Sequence, residues 1–480
     1  MILARLVRLA ALSSLLCVAL LSAPRSRAEQ PRASTTASAH APAVGPFGKP
    51  PVVSRLANGL TVVSIPWRSP GIVAYFTLVR VGARDEVEPG HSGFAHLFEH
   101  MMFRGTERLS ESAYEERMQS FGADNNAYTT QDFTLYTITA PVSALPELVD
   151  IEADRFEHLS YDERAFRTET GAVLGEYNKS AANPAQKMWE VLSGLAFKQH
   201  TYGHTTIGYL ADIQAMSDKF AYSRAFLRRF YTPDNTTILV AGEVDHAAVL
   251  ALIDERYGSW AGTRDQPIIP VEPEPAAGAS QHILWEGTST PQVLIGYRAS
   301  AFEGVGDPGL RDARLRDTAA LEVVHGLLFE RSAPLYQALV LEKQKVLELQ
   351  SWSENFSRDP GLFVISAELK EQTRFDEVVQ DVQLAIDLLA RGEVDPARVE
   401  AVRSHLGYGL TMKVETASDA ADLLAQFIAV SGDPNGLRDY LRALASVTKD
   451  DVSRVARLYL AEKRRFTVTL EPKPRAGATP

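Results

Sequence analysis

One cysteine, Cys17, is all the thiol that the 480-residue chain contains. Disulfide staples and thiolate metal sites are therefore excluded, and a transition metal would have to be held by His, Asp and Glu. Basic residues are also in short supply: 49 Lys and Arg stand against 60 Asp and Glu, for a formal charge of −11. No cluster of them offers the footprint that counterion release at nucleic acid or an anionic membrane needs. Long apolar runs are missing beyond the first two dozen residues, so the mature chain has nothing fit to span a bilayer. What is present, 45% hydrophobic, 23% charged and 9% aromatic residues, is the composition of a folded globular chain of two to four domains.

Arg5 and Arg8 precede an apolar run from Leu9 to Leu21, and Ser26-Arg27-Ala28 places small residues at −3 and −1 before Glu29. That order predicts a secretory signal peptide over residues 1–28, cleavage after Ala28 and export to a bacterial periplasm. Leu16 stands before Cys17 where a lipoprotein signal needs a small residue, so lipidation is not expected. Cleavage removes four arginines and no acid, which takes the formal charge to −15. Residues 29–50, rich in Ala, Pro, Ser and Thr, read as a flexible lead. Pro267, Pro270, Pro273 and Pro275 then mark a linker over 266–281, because prolines at that density suit neither a helix interior nor a central strand. The linker separates domains over 51–265 and 282–474, with a tail over 475–480.

The two halves read as copies. The segment from Tyr231 resembles that from Tyr459 at an offset of 228, and Ala95 to His100 overlays Ala320 to His325 at an offset of 225. Within the first half, Ile72 to Val81 and Phe133 to Ala140 read as strands. Helices are predicted over Gly93 to Arg104, from a capping box at Ser112 and Glu115 to Gly122, over Leu145 to Leu159 and over Asp162 to Asn178. Strands separated by paired helices predict an α+β class, each half an antiparallel-rich sheet with helices packed on one face.

His96-Leu97-Phe98-Glu99-His100 is the most informative stretch. Residues i and i+4 share a helix face, so the two imidazoles can converge on one ion, with Glu99 beside it but outside the donor set. Taken alone the motif is weak, and the bland alternative is a partly buried His pair on an amphipathic helix. A catalytic zinc needs a third protein ligand. Glu169 and Glu176, two turns apart on a later helix, are candidates, although two carboxylates on one stripe more commonly mark a solvated face. His200 and His204 are also four apart but read as a loop.

His96-x-x-Glu99-His100, Phe103-Arg104-Gly105-Thr106, Asn126-Ala127-Tyr128-Thr129, and Glu169 with Glu176 together resemble the pitrilysin, insulin-degrading enzyme and mitochondrial processing peptidase family. The 76 residues from His100 to Glu176 and the passage from Phe230 to Val244 are similar too. The resemblance implies two homologous α+β domains forming a clam-like chamber. It implies one Zn²⁺ per chain held by His96, His100 and Glu176, with Glu99 as general base and Glu169 supporting the metal site. Asn126 and Ala127 would lie on an edge strand that pairs with substrate backbone. The implied activity is zinc-dependent hydrolysis of peptide bonds in short or unfolded polypeptides. The alternative is a non-catalytic relative acting as a peptide-binding or assembly subunit. His and carboxylate donors alone do not select zinc over manganese or cobalt.

The second half departs from the pattern of self-sufficient members. Val340 and Leu347 fall where that pattern has an Arg and a Tyr, with Arg331 and Tyr336 too closely spaced to replace them. Leu321 and Val324 replace the positions of His96 and Glu99, so no metal is expected there. The resemblance therefore implies a homologous partner subunit that supplies the Arg and Tyr, the alternatives being a homodimer or a self-sufficient monomer.

Overall fold

The computed structural model describes residues 47–302, 308–354, 356–370 and 373–473. The expected signal peptide, the lead up to residue 46 and the tail lie outside the described residues. Phe47, placed in that lead by sequence, is buried and meets Trp67 edge-on with ring centroids 6.5 Å apart.

Two sheets organise the chain. The first contains β1 (Val52–Arg55), β2 (Thr61–Pro66), β3 (Ile72–Val79), β4 (Asp124–Thr129), β5 (Thr134–Pro141) and β6 (Thr236–Gly242) in the order β1-β2-β6-β3-β5-β4. The second contains β7 (Ala279–Trp285), β8 (Gln292–Arg298), β9 (Val346–Ser353), β10 (Leu362–Leu369) and β11 (Arg465–Pro472) in the order β7-β11-β8-β10-β9. From β2 onward the two orders match strand for strand. Each has one parallel pair, β2 with β6 and β7 with β11, and antiparallel pairs elsewhere. The weak sequence repeat is thus a repeat of topology.

The first half's longer helices are α1 (Phe94–Met101), α2 (Glu111–Phe121), α3 (Leu145–His158), α4 (Glu163–Ala181), α5 (Pro184–Ala196), α6 (Phe220–Phe230) and α7 (His246–Tyr257). The second half has α8 (Pro308–Leu328), α9 (Phe375–Ala390), α10 (Pro396–Met412), α11 (Ala417–Ser431), α12 (Gly436–Ser446) and α13 (Lys449–Tyr459). The cap of α2 differs from the sequence expectation. Ser110, not Ser112, accepts the Ala113 N–H, and Gly122 ends the helix at a φ of 67°. Asp162 caps α4 by accepting the Ala165 N–H.

β3 shows why the sheets sit where they do. Val73, Tyr75 and Val79 face the core formed with the first half's own helices, whereas Ala74, Phe76 and Leu78 face a core shared with the second half. Helices of each half do lie on one face of its sheet, but the opposite face is covered by a helix from the other half. α11 packs across β3 and β6, and α5 packs across β7, β8 and β11 through Met188, Leu192 and Ala196. The exchange is pinned where Arg80 Nε donates to the Ala429 carbonyl at 2.8 Å and Tyr128 donates to Asp422 at 2.8 Å. Phe427 of α11 sits among Phe302, Phe356 and Tyr440, with centroids 5.5–5.7 Å away. Phe427→Ala should cost about 3–5 kcal/mol, read as a lower urea midpoint at unchanged slope.

The Pro-rich segment contains no helix or strand until β7 begins at Ala279, three residues inside the predicted linker. It is fastened at its middle, while Ile268 and Val271 are exposed. The Glu272 carboxylate accepts the backbone N–H groups of Lys198, Gln199 and His200 at 2.7–3.0 Å, and Arg298 donates to the carbonyls of Glu272 and Pro273.

Candidate metal centre

α1 follows from its apolar spacing. Phe94, Leu97, Phe98 and Met101 are fully buried on one side, where Phe98 stacks on Phe226 at 5.2 Å and its carbonyl accepts the Tyr136 hydroxyl at 3.1 Å. That anchoring leaves His96, Glu99 and His100 turned towards α4 and the end of β4. The His96 and His100 rings lie 4.9 Å apart and nearly perpendicular.

α4 supplies the carboxylates. Phe166, Glu169, Thr170 and Val173 are its buried stripe, and Glu176 continues it by one turn. Glu169 is only 6% exposed. The solvated-face alternative is therefore excluded for Glu169: these acids share the inward stripe with Phe166 and Val173. Glu176 Oε2 lies 3.6 Å from His96 Nε2 and 3.7 Å from His100 Nε2. One donor atom from each of His96, His100 and Glu176 falls within 4.8 Å of the others, and no other such group occurs among the described residues.

These residues fit a tetrahedral zinc ion. Ligand bonds of about 2.0–2.2 Å place donor atoms roughly 3.3–3.6 Å apart, so the two separations from Glu176 need only slight closure. Burial, and then the neighbouring His100, lower the His96 pKa to about 4, against the pull of Glu176. The imidazole is thereby kept in the neutral form that binds metal. His96 Nδ1 is buried without a hydrogen-bond partner. Glu99 stands outside the donor set. Burial raises its pKa, while hydrogen bonds from Thr129 and the charge of His100 oppose the rise.

Behind the donors, Glu169 Oε2 lies 3.3 Å from His100 Nδ1, and its other oxygen pairs with Arg104. Arg104 also holds Glu111 at 2.9 Å. Arg104 and Thr129 lie inside the sequence motifs, but nothing in the motifs assigns them a role. Their signals were position: Arg104 is one turn beyond His100, and Thr129 ends the strand that carries Asn126 and Ala127. β4 is the sheet's outer strand, paired only with β5, with Asn126 exposed and Ala127 buried.

Other candidates behave differently. His200 and His204 are buried beside a 3₁₀ turn, with His200 accepting the Tyr202 N–H at 3.0 Å and His204 bonded to the Thr205 carbonyl at 2.9 Å. In the second half, Leu321 and Val324 are core residues of α8, and His325 bonds Ser351 at 2.6 Å. Val340 packs against the core from a π-helical turn, while Leu347 is exposed on β9.

This pairing of fold and site is that of a metallopeptidase family with a metal-binding half and a metal-free copy. The chain belongs to peptidase family M16: the profile described as "Insulinase (Peptidase family M16)" matches residues 71–209, and "Peptidase M16 inactive domain" matches 222–406. "Zinc protease PqqE" of Helicobacter pylori is 27% identical over 424 residues, covering 87% of this chain and 92% of that protein. "Mitochondrial-processing peptidase subunit beta" of Lentinula edodes is 25% identical over 444 residues, covering 88% and 89%. A solved Helicobacter pylori protease superposes with a TM-score of 0.79 at 26% identity, covering 88% of this chain and 99% of that one.

Proposed function

We propose that this chain is a zinc-dependent peptidase that cleaves short or unfolded polypeptides after export to a periplasm. The observation that carries the reading is the meeting of His96, His100 and Glu176 from α1 and α4, with an unliganded carboxylate, Glu99, alongside. Relatives named as zinc proteases support it. No described helix is long and apolar enough to cross a membrane.

Bound at these donors, zinc would supply Lewis acidity, acidifying water and polarising a peptide carbonyl. The Glu99 carboxylate takes the proton of the attacking water and returns it to the leaving amine nitrogen. Glu169 accepts from His100 Nδ1 and so fixes the ring and tautomer that present Nε2 to the ion. The free edge of β4, ending at Thr129 next to Glu99, pairs with extended substrate backbone, which selects by shape and extension more than by side chain. Because Val340 and Leu347 offer no cation and no phenol, a homologous partner subunit supplies them.

The test is hydrolysis of an unstructured peptide by the purified chain, alone and with a homologous partner encoded beside it. A strong chelator should abolish hydrolysis and one equivalent of zinc should restore it. Chelator-insensitive hydrolysis would contradict the metal reading, and full activity of the chain alone would remove the partner.

A further inference from the structure

We infer that Glu86 is a positioning residue for the zinc helix and that the second half, which lacks metal donors, sets zinc affinity through the turn that carries it. The inference rests on the reading of His96, His100 and Glu176 as zinc donors.

α1 begins without a cap of its own. Its N-cap is Gly93, at a φ of 91°, which has no side-chain oxygen to accept the first N–H groups of the helix. Glu86 performs this from seven residues upstream: Oε2 accepts the Gly93 N–H at 2.8 Å and Oε1 the Ala95 N–H at 2.7 Å. Ala95 immediately precedes the donor His96. Glu86 is buried, with His204 Nε2 3.8 Å from its carboxylate and the like charges of Asp85 and Asp212 close by. A buried carboxylate with both oxygens committed to one helix start fixes where that helix begins.

Glu86 ends a 3₁₀ turn, Ala83–Asp85, whose two charged side chains reach the other half. Arg84 pairs with Asp359, and Asp85 lies 3.4 Å from the guanidinium of Arg358. Asp359 also faces His200 Nε2 at 3.2 Å, and Arg358 donates its backbone N–H to Asp132 at 3.0 Å. Arg84, Asp85, Asp132 and His200 are all buried. The loop between β9 and β10 therefore clamps residues 84 and 85, and residue 86 holds α1. Withdrawing the clamp frees the turn, and with it the register of His96 and His100 against Glu176.

The experiment measures zinc affinity by chelator competition for the full chain and for His96→Ala, Glu86→Gln, Asp359→Asn and Val378→Ala, alongside the melting temperature of each without metal. Gln retains the shape of Glu86 but turns an N–H₂ towards one of the two N–H groups. Glu86→Gln should weaken zinc 10- to 100-fold, the range for groups that orient metal ligands. Asp359→Asn should weaken it about 2- to 30-fold, and the double variant should fall short of the product of the two. Val378→Ala removes buried volume in the first turn of α9, where Glu377 and Asp381 pair with Lys345 at the end of β9 opposite the clamping loop; it is destabilising and should bind zinc as the unaltered chain does. The inference is overturned if Glu86→Gln and Asp359→Asn bind zinc normally, or lose it only as far as Val378→Ala does. Should the Glu86 variant not fold, the Asp359 variant decides alone. Failure of the unaltered chain to bind zinc, or retention by His96→Ala, defeats the underlying metal reading instead.

Discussion

Glu99→Gln should lower peptide hydrolysis by about 10²–10⁴-fold, the usual contribution of a positioned proton carrier, while the chain keeps its zinc. The separation follows from the geometry. The group that converges on a common point is His96, His100 and Glu176, without Glu99. Glu99 is directed instead to Thr129 at the end of β4, where an edge-bound peptide would pass. Gln keeps the size and the hydrogen-bond acceptor but takes up no proton at neutral pH. Turnover of an unstructured peptide and zinc content by elemental analysis read the two effects separately. Loss of zinc together with activity would mean that Glu99 is a ligand. Retained hydrolysis would remove it as the base. A chain that serves only as a peptide-binding or assembly subunit would show no hydrolysis to lose.

Glu176→Ala should remove zinc altogether. Two imidazoles from one helix fall short of the three protein ligands of a catalytic zinc site, and the loss should exceed the 10- to 100-fold typical of outer partners such as Glu169. Glu176 is a clean position for the test because its side chain is 26% exposed and tolerates truncation without leaving a buried void. Equilibrium dialysis should find less than a tenth of an equivalent of zinc at micromolar metal, with hydrolysis at background and the metal-free melting temperature unchanged. Zinc retained at one equivalent would place the third ligand elsewhere.

Much of this site was legible in the chain because its determinants are local. The 3.6-residue period of Phe94, Leu97, Phe98 and Met101 orients α1, and its four-residue His spacing then fixes the metal face. The repeat offsets of 225 and 228 were faint, yet they correspond to two sheets of the same strand order. Periodicity misjudged Glu169, since a carboxylate on an inward stripe looks solvated until Arg104 and His100 are brought to it. The capping signal misled by two residues because Ser110 and Ser112 are equally good local acceptors. What stayed hidden is long-range. Nothing in Ala417–Ser431 announces that it covers the other half's sheet, and Gly93 gives no sign that Glu86 caps it.

A zinc ion held by His96, His100 and Glu176 is what every proposed step depends on. Anomalous diffraction at the zinc edge from zinc-soaked crystals of the full chain should show one strong peak, about 2.0–2.2 Å from Nε2 of His96, Nε2 of His100 and a carboxylate oxygen of Glu176. No peak there, or a peak bound by other residues, would contradict it.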